Sequence, residues 1–142
     1  MFLHRNVSGA ALLLAAALGG CSAGEDLVAT GAVSLGRVES QHGRVTWVEA
    51  RRRGGGTDVT GGLVRGEGST HRVNGHVDVA LLDAEGRLVR SVQTPEMHVR
   101  PSRPGHGLRQ SRFAARLPVA AADGSRLRVT YHPGPPCGDG GP

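Results

Sequence analysis

Gly75-His76-Val77-Asp78-Val79-Ala80-Leu81-Leu82 alternates side-chain character with a period of two, the signature of a strand with one buried face. Val77, Val79 and Leu81 point one way, and His76, Asp78 and Ala80 the other. Asp83-Ala84-Glu85-Gly86 follows as a tight turn in which glycine can take positive φ. Arg87 to Gln93 then returns as a second strand. Residues 76–93 therefore predict a β-hairpin, and the rest of the chain is read for elements that could cover its apolar side.

Two later segments have the same period. Ser111 to Leu117 places Phe113, Ala115 and Leu117 inward, with Arg112, Ala114 and Arg116 outward. Arg126 to Tyr131 places Leu127, Val129 and Tyr131 inward, with Arg126 and Arg128 outward. Pro118 to Ser125 is a turn region between them. Met97 and Val99 suit a short edge strand among Pro95, Pro101 and Pro104, since edges tolerate proline. Met97 is expected as a core gap-filler. Upstream, the period of two starts at Arg44, with Val45 and Trp47 alternating with Thr46 and Val48. Arg51-Arg52-Arg53 and Gly54-Gly55-Gly56 read as an exposed loop, and Val59 to Arg65 as a short strand. No segment after residue 20 has a convincing helical period. Short strands separated by Gly and Pro turns predict an all-β fold, a small antiparallel β-sandwich over residues 44–132. Residues 133–142, rich in Gly and Pro, are expected to form a disordered tail.

The N-terminal stretch has a different character. Met1 to Asn6 contains His4 and Arg5, and Ala10 to Leu18 is a run of nine apolar residues. That run is far short of the roughly 20 residues that cross a bilayer, and suits the h-region of a signal peptide. Leu18-Gly19-Gly20-Cys21 closes it. This combination resembles the lipobox of bacterial lipoprotein precursors. The resemblance implies a signal peptide over 1–20, cleavage between Gly20 and Cys21, and lipidation of Cys21. Ser22 rather than Asp after the cysteine implies outer-membrane sorting, facing the periplasm, in a diderm organism. Residues 21–43, rich in Gly, Ser and Ala, are expected to form a flexible tether to the sandwich, with Val28 to Val38 apolar enough to pair as an extra strand instead.

The sandwich also carries a likeness. Val59-Thr60-Gly61-Gly62-Leu63-Val64, Val77 to Asp83 with Gly86, Arg112 to Pro118, and Leu127-Arg128-Val129 resemble the transthyretin-like or carboxypeptidase-regulatory-like pattern. In that family an apolar strand ends in Asp and a Gly turn, and a Phe-containing strand ends in Leu-Pro. The resemblance implies an accessory or binding role without catalysis.

Charge and composition narrow the chemistry. All 17 basic residues are Arg, so no phosphate-loop lysine and no Ser/Lys pair exists, and no Gly-x-Ser-x-Gly elbow is present. These absences argue against an enzyme, and no cofactor is expected. Residues 21–86 carry a net charge of −2 and residues 87–128 a net charge of +7. A basic half points to an anionic partner. Export excludes nucleic acid and leaves anionic envelope components, the membrane reached through the N-terminal lipid, and other envelope proteins. Arg112, Arg116, Arg126 and Arg128 share outward parity, and would line one face if their strands were neighbours. A copper or zinc site is the other candidate, built from His76 and Asp78 two apart on one strand face, with His132 and Cys137 near the C-terminus. With Cys21 acylated, Cys137 has no internal disulfide partner.

Overall fold

The opening hairpin forms one side of the larger of two sheets, its first strand inside the sheet and its second at the edge. The computed structural model describes residues 24–38, 40–66, 73–101, 105 and 109–136. Its strands are β1 (Ser34–Val38), β2 (Gly43–Arg53), β3 (Gly56–Arg65), β4 (Val73–Leu82), β5 (Leu88–Gln93), β6 (Met97–Val99), β7 (Ser111–Leu117) and β8 (Arg126–Pro133). β1, β8, β4 and β5 form one sheet in that order, and β6 also pairs with β4. β2, β3 and β7 form the second sheet. The two sheets enclose a core of Val45, Val48, Val59, Leu63, Val77, Val79, Leu81, Val99, Phe113, Leu117, Leu127, Val129 and Tyr131. The chain is an all-β sandwich, as the alternation predicts.

The β4–β5 hairpin closes as read. Asp78 pairs with Gln93 and Val79 with Val92. Asp83 Oδ1 accepts the backbone N–H groups of Glu85 and Arg87, and Gly86 has φ of 82°. The inward sets of β7 and β8 also agree with their parity: Phe113, Leu117, Leu127, Val129 and Tyr131 are buried, and Ala115 packs against the same core. β6 is a short strand as expected, with Met97 packed against the core and Val99 buried.

Four expectations need correction. The segment 51–56 is not an exposed loop. β2 and β3 run through it and turn on Gly54 and Gly55, whose φ values of 52° and 77° suit a two-residue hairpin turn that matches strand twist. The phase of β2 also differs. A β-bulge lies between Val45 and Trp47, so Val45 and Val48 are buried while Trp47 faces out. One extra residue flips every side chain after it, and a period-two reading cannot anticipate where that happens.

The expected tether over 21–43 is, from Gly24 onward, part of the fold. Leu27 and Val33 are buried in the core, and β1 pairs in parallel with β8. A turn after Asp26 makes this possible: its carboxylate accepts the N–H groups of Val28 and Ala50, and Leu27 N–H donates to Ala50. The apolar character of Val28 to Val38 did allow an extra strand, and β1 is that strand; the burial of Leu27 and Val33 ahead of it follows no clear period and was not legible. The last correction concerns the arginines. Arg112 and Arg116 lie on β7 in the second sheet, and Arg126 and Arg128 on β8 in the first. Their outward parity holds, but it points them from opposite faces of the sandwich, so the four do not line one surface.

Candidate ligand-binding face

The outer face of the β2–β3–β7 sheet is set out in rows across the three strands. Trp47 pairs with Gly62, which pairs with Arg112; Glu49 pairs with Thr60, which pairs with Ala114; Arg51 pairs with Asp58, which pairs with Arg116. Same-face rows along a strand are about 7 Å apart. Thr60 and Ala114 are the small floor between two taller rows. The resulting cleft is about 480 Å³ and is lined by Trp47, Glu49, Thr60, Arg112, Phe113 and Ala114. It continues toward Asp58 and Arg116 as a second cleft of about 350 Å³.

The backbone is built to put Trp47 there. The bulge turns the indole outward, and the Thr46 hydroxyl donates to the Gly62 carbonyl at 3.2 Å beside it. Gly62 leaves room for the ring: a Cβ at that position would stand 2.2 Å from Trp47 Nε1. Gly61 serves the other face, where a Cβ would stand 2.3 Å from Phe113 Cζ. Trp47 Nε1 donates to Gln110 Oε1 at 3.2 Å, which fixes the indole plane toward β7. The Arg112 guanidinium carbon lies over the ring at 5.9 Å from its centroid, within cation–π range.

The charges along this face differ in how far they are satisfied. Arg116 is held by Asp58 and also donates to the Arg53 carbonyl at 2.9 Å. Arg51 donates to the Gly24 carbonyl at 2.6 Å and meets Glu49 at 3.4 Å. Arg112 has the indole as its only partner among the described residues, with no carboxylate on it. The face therefore offers one unneutralised planar cation, a weakly paired carboxylate, the Thr60 hydroxyl and a half-exposed aromatic.

The opposite outer face holds the residues read as metal ligands. His76 and His132 are cross-strand partners on β4 and β8, with stacked rings 5.4 Å apart. His132 Nε2 is 3.1 Å from Asp78 Oδ2, and His76 Nε2 is 3.5 Å from Asp78 Oδ1. His76 Nδ1 is 3.0 Å from the Gly134 carbonyl, which can only accept, so Nδ1 carries the proton. The three side chains do come together, but each imidazole meets a different oxygen of one carboxylate. Among the described residues no three His, Cys, Asp or Glu side chains are placed to hold a metal ion. Cys137, Cys21 and Gly20 lie outside the described residues. Arg126 on this face donates to the Ser34 hydroxyl at 3.4 Å, and Arg128 is exposed between its cross-strand partners Gly36 and Ala80.

No family model matches this chain, nor does any curated protein or solved structure. Sequence parity had placed Arg112 and Arg116 on the candidate face. It missed Trp47, Glu49 and Thr60. The Gly61-Gly62 pair in a strand was the available signal, since glycine inside a strand marks a bulge or a close approach.

Proposed function

We propose that this chain is a lipid-anchored, non-catalytic binding protein of a bacterial cell envelope that engages an anionic component through the outer face of β2–β3–β7. The observation that carries it is the outward Trp47 beside an Arg112 that has no carboxylate partner. The indole leaves apolar area in water, the guanidinium beside it is free to take an anion, and Trp and Arg are both enriched where partners bind. The anchor rests on Leu18-Gly19-Gly20-Cys21, and several acyl chains on Cys21 would give stable membrane attachment. The absence of nucleophile and phosphate-binding motifs supports a binding role over catalysis.

The fold adds a consequence. Only Ser22 and Ala23 separate Cys21 from Gly24, and three extended Cα steps reach about 10 Å. The lipid would hold the sandwich against the headgroups rather than on a long leash. Affinity capture from detergent-solubilised membranes tests the face, comparing wild type with a double variant R112Q/R116Q. Loss of the captured component in the double variant, with retention in R126Q/R128Q, is the expected result. Equal recovery with all three proteins would remove the β2–β3–β7 face from the proposal.

A further inference from the structure

The chemistry of this cleft points to a more specific ligand class, an inference that rests on the binding face proposed above. We infer that the cleft between Trp47 and the Asp58–Arg116 pair binds an acidic sugar, a hydroxyl-rich ring bearing a carboxylate. Three features carry this. Arg112 presents a planar fork of donors with no anion on it, and that geometry matches a carboxylate in a bidentate pair. Glu49, whose only side-chain partner among the described residues is Arg51 at 3.4 Å, and the Thr60 hydroxyl lie in the same cleft. They supply acceptors that hydroxyl groups need as donors. Trp47 adds an aromatic surface against which the C–H groups of a sugar ring can pack.

The same features exclude the competing occupants. A polyphosphate would bring its negative charge against Glu49 in the cleft wall. An acyl chain would leave Glu49, Thr60 and Arg112 without hydrogen bonds, at the cost of desolvating them. A peptide added as a strand would use a sheet edge, and the cleft lies across the middle of a face. The volume of about 480 Å³ is within the range of small-ligand sites. The cleft crosses three strands, about 10 Å, enough to hold a short piece of a longer glycan.

Trp47 is the only tryptophan of the chain, so its emission reports on this cleft alone. The full chain in detergent micelles would be titrated with a galacturonic acid oligomer, a neutral glucose oligomer, polyphosphate and anionic phospholipid vesicles. The expected result is a saturable change in Trp47 emission with the galacturonate oligomer, at least tenfold tighter than with the neutral oligomer. R112Q should remove that tenfold preference, and R112K should restore part of it, because charge returns without the fork. E49Q should weaken both sugars by severalfold, and R128Q on the opposite face should change nothing. Far-UV circular dichroism confirms that each variant is folded. Tight binding of polyphosphate or vesicles without the galacturonate response would overturn the sugar inference and leave the binding face standing. No response to any of the four, or full galacturonate binding by R112Q, would overturn both.

Discussion

Gly62 and Tyr131 show how single residues set the outer face and the core of this sandwich. Gly62 exists as glycine because Trp47 lies across it. G62A would place a methyl group 2.2 Å from Nε1 and 2.7 Å from Cδ1, and the indole must swing outward. The expected outcome is a shift of Trp47 emission to longer wavelength and a stability loss of about 1 kcal/mol, at the low end for overpacking because a side chain gives way. G61A should cost more, since its methyl would also meet the Trp47 backbone carbonyl at 2.7 Å. Equal emission and stability for G62A and wild type would show that the ring does not rest there.

Tyr131 is the largest fully buried side chain, and Gly43 and Gly75 both pack against its ring. Its hydroxyl is buried without a hydrogen-bond partner among the described residues. Burial raises its pKa above the ordinary value of 10.0, because the phenolate would lose hydration. The folded state therefore holds its proton to higher pH than the unfolded state. The associated stability is fully present below pH 10 and is lost as pH rises through the folded value. Y131F removes both the unpaired hydroxyl and this ionisation. Chemical denaturation should find Y131F as stable as wild type or up to about 1 kcal/mol more stable at neutral pH. Its stability should also decline less above pH 10. A Y131F protein that is clearly weaker at neutral pH, with an unchanged alkaline decline, would contradict the burial argument.

At the scale of elements, the N-terminal turn and the β4–β5 hairpin make separate predictions. Leu27 and Val33 tie the chain before β1 into the core, with Leu27 only 2% exposed. A tether residue could be truncated at no cost. L27A should instead lose about 2–5 kcal/mol by leaving a cavity under β2. Equilibrium denaturation of wild type and L27A decides between the two, and a loss under 0.5 kcal/mol would return this segment to a tether. In the hairpin, the backbone N–H of Arg87 is the first cause holding the Asp83 carboxyl below its ordinary 3.8, and the Arg87 side chain adds to it. Stability from this turn is present above pH 3.8 and lost as pH falls through the lower folded value. D83A should lower the melting temperature at neutral pH, and the difference from wild type should shrink in strong acid. A constant difference across that range would show that the carboxylate charge is not what holds the turn.

At the scale of the whole molecule, the two faces and two ends of the sandwich have different chemistry. One unneutralised guanidinium, that of Arg112, sits beside an aromatic on one face, while the other carries stacked imidazoles over a single carboxylate. Gly24 lies beside Arg51, near the Gly54-Gly55 turn, so an acyl group on Cys21 would bring that end to the membrane. Trp47 lies four residues along β2 from Arg51, about 14 Å farther out at strand rise. The cleft would then face sideways, clear of the headgroups. C21S should abolish incorporation of labelled fatty acid and release the protein from membranes. Labelling that survives C21S would withdraw the anchor and this orientation together, while leaving the sugar cleft to its own test.

Much of the sandwich is determined by the sequence alone. Alternation in residues 75–82, 111–117 and 126–131 specifies strand and inward face, because side chains in a strand alternate by geometry and need no tertiary information. Asp83 and Gly86 specify the hairpin turn for the same local reason. Only the tertiary structure decided which strands share a sheet, since parity is the same whichever neighbour a strand takes. That is why four outward arginines became two on each face. Only the tertiary structure located the bulge at Trp47, because a one-residue shift of register is settled by what packs against both sides of the strand. The burial of Leu27 and Val33 was likewise decided by contacts with residues distant in sequence. The candidate cleft combines both kinds of information: Arg112 was legible from its strand, and Trp47 came to its side only when the sheet formed.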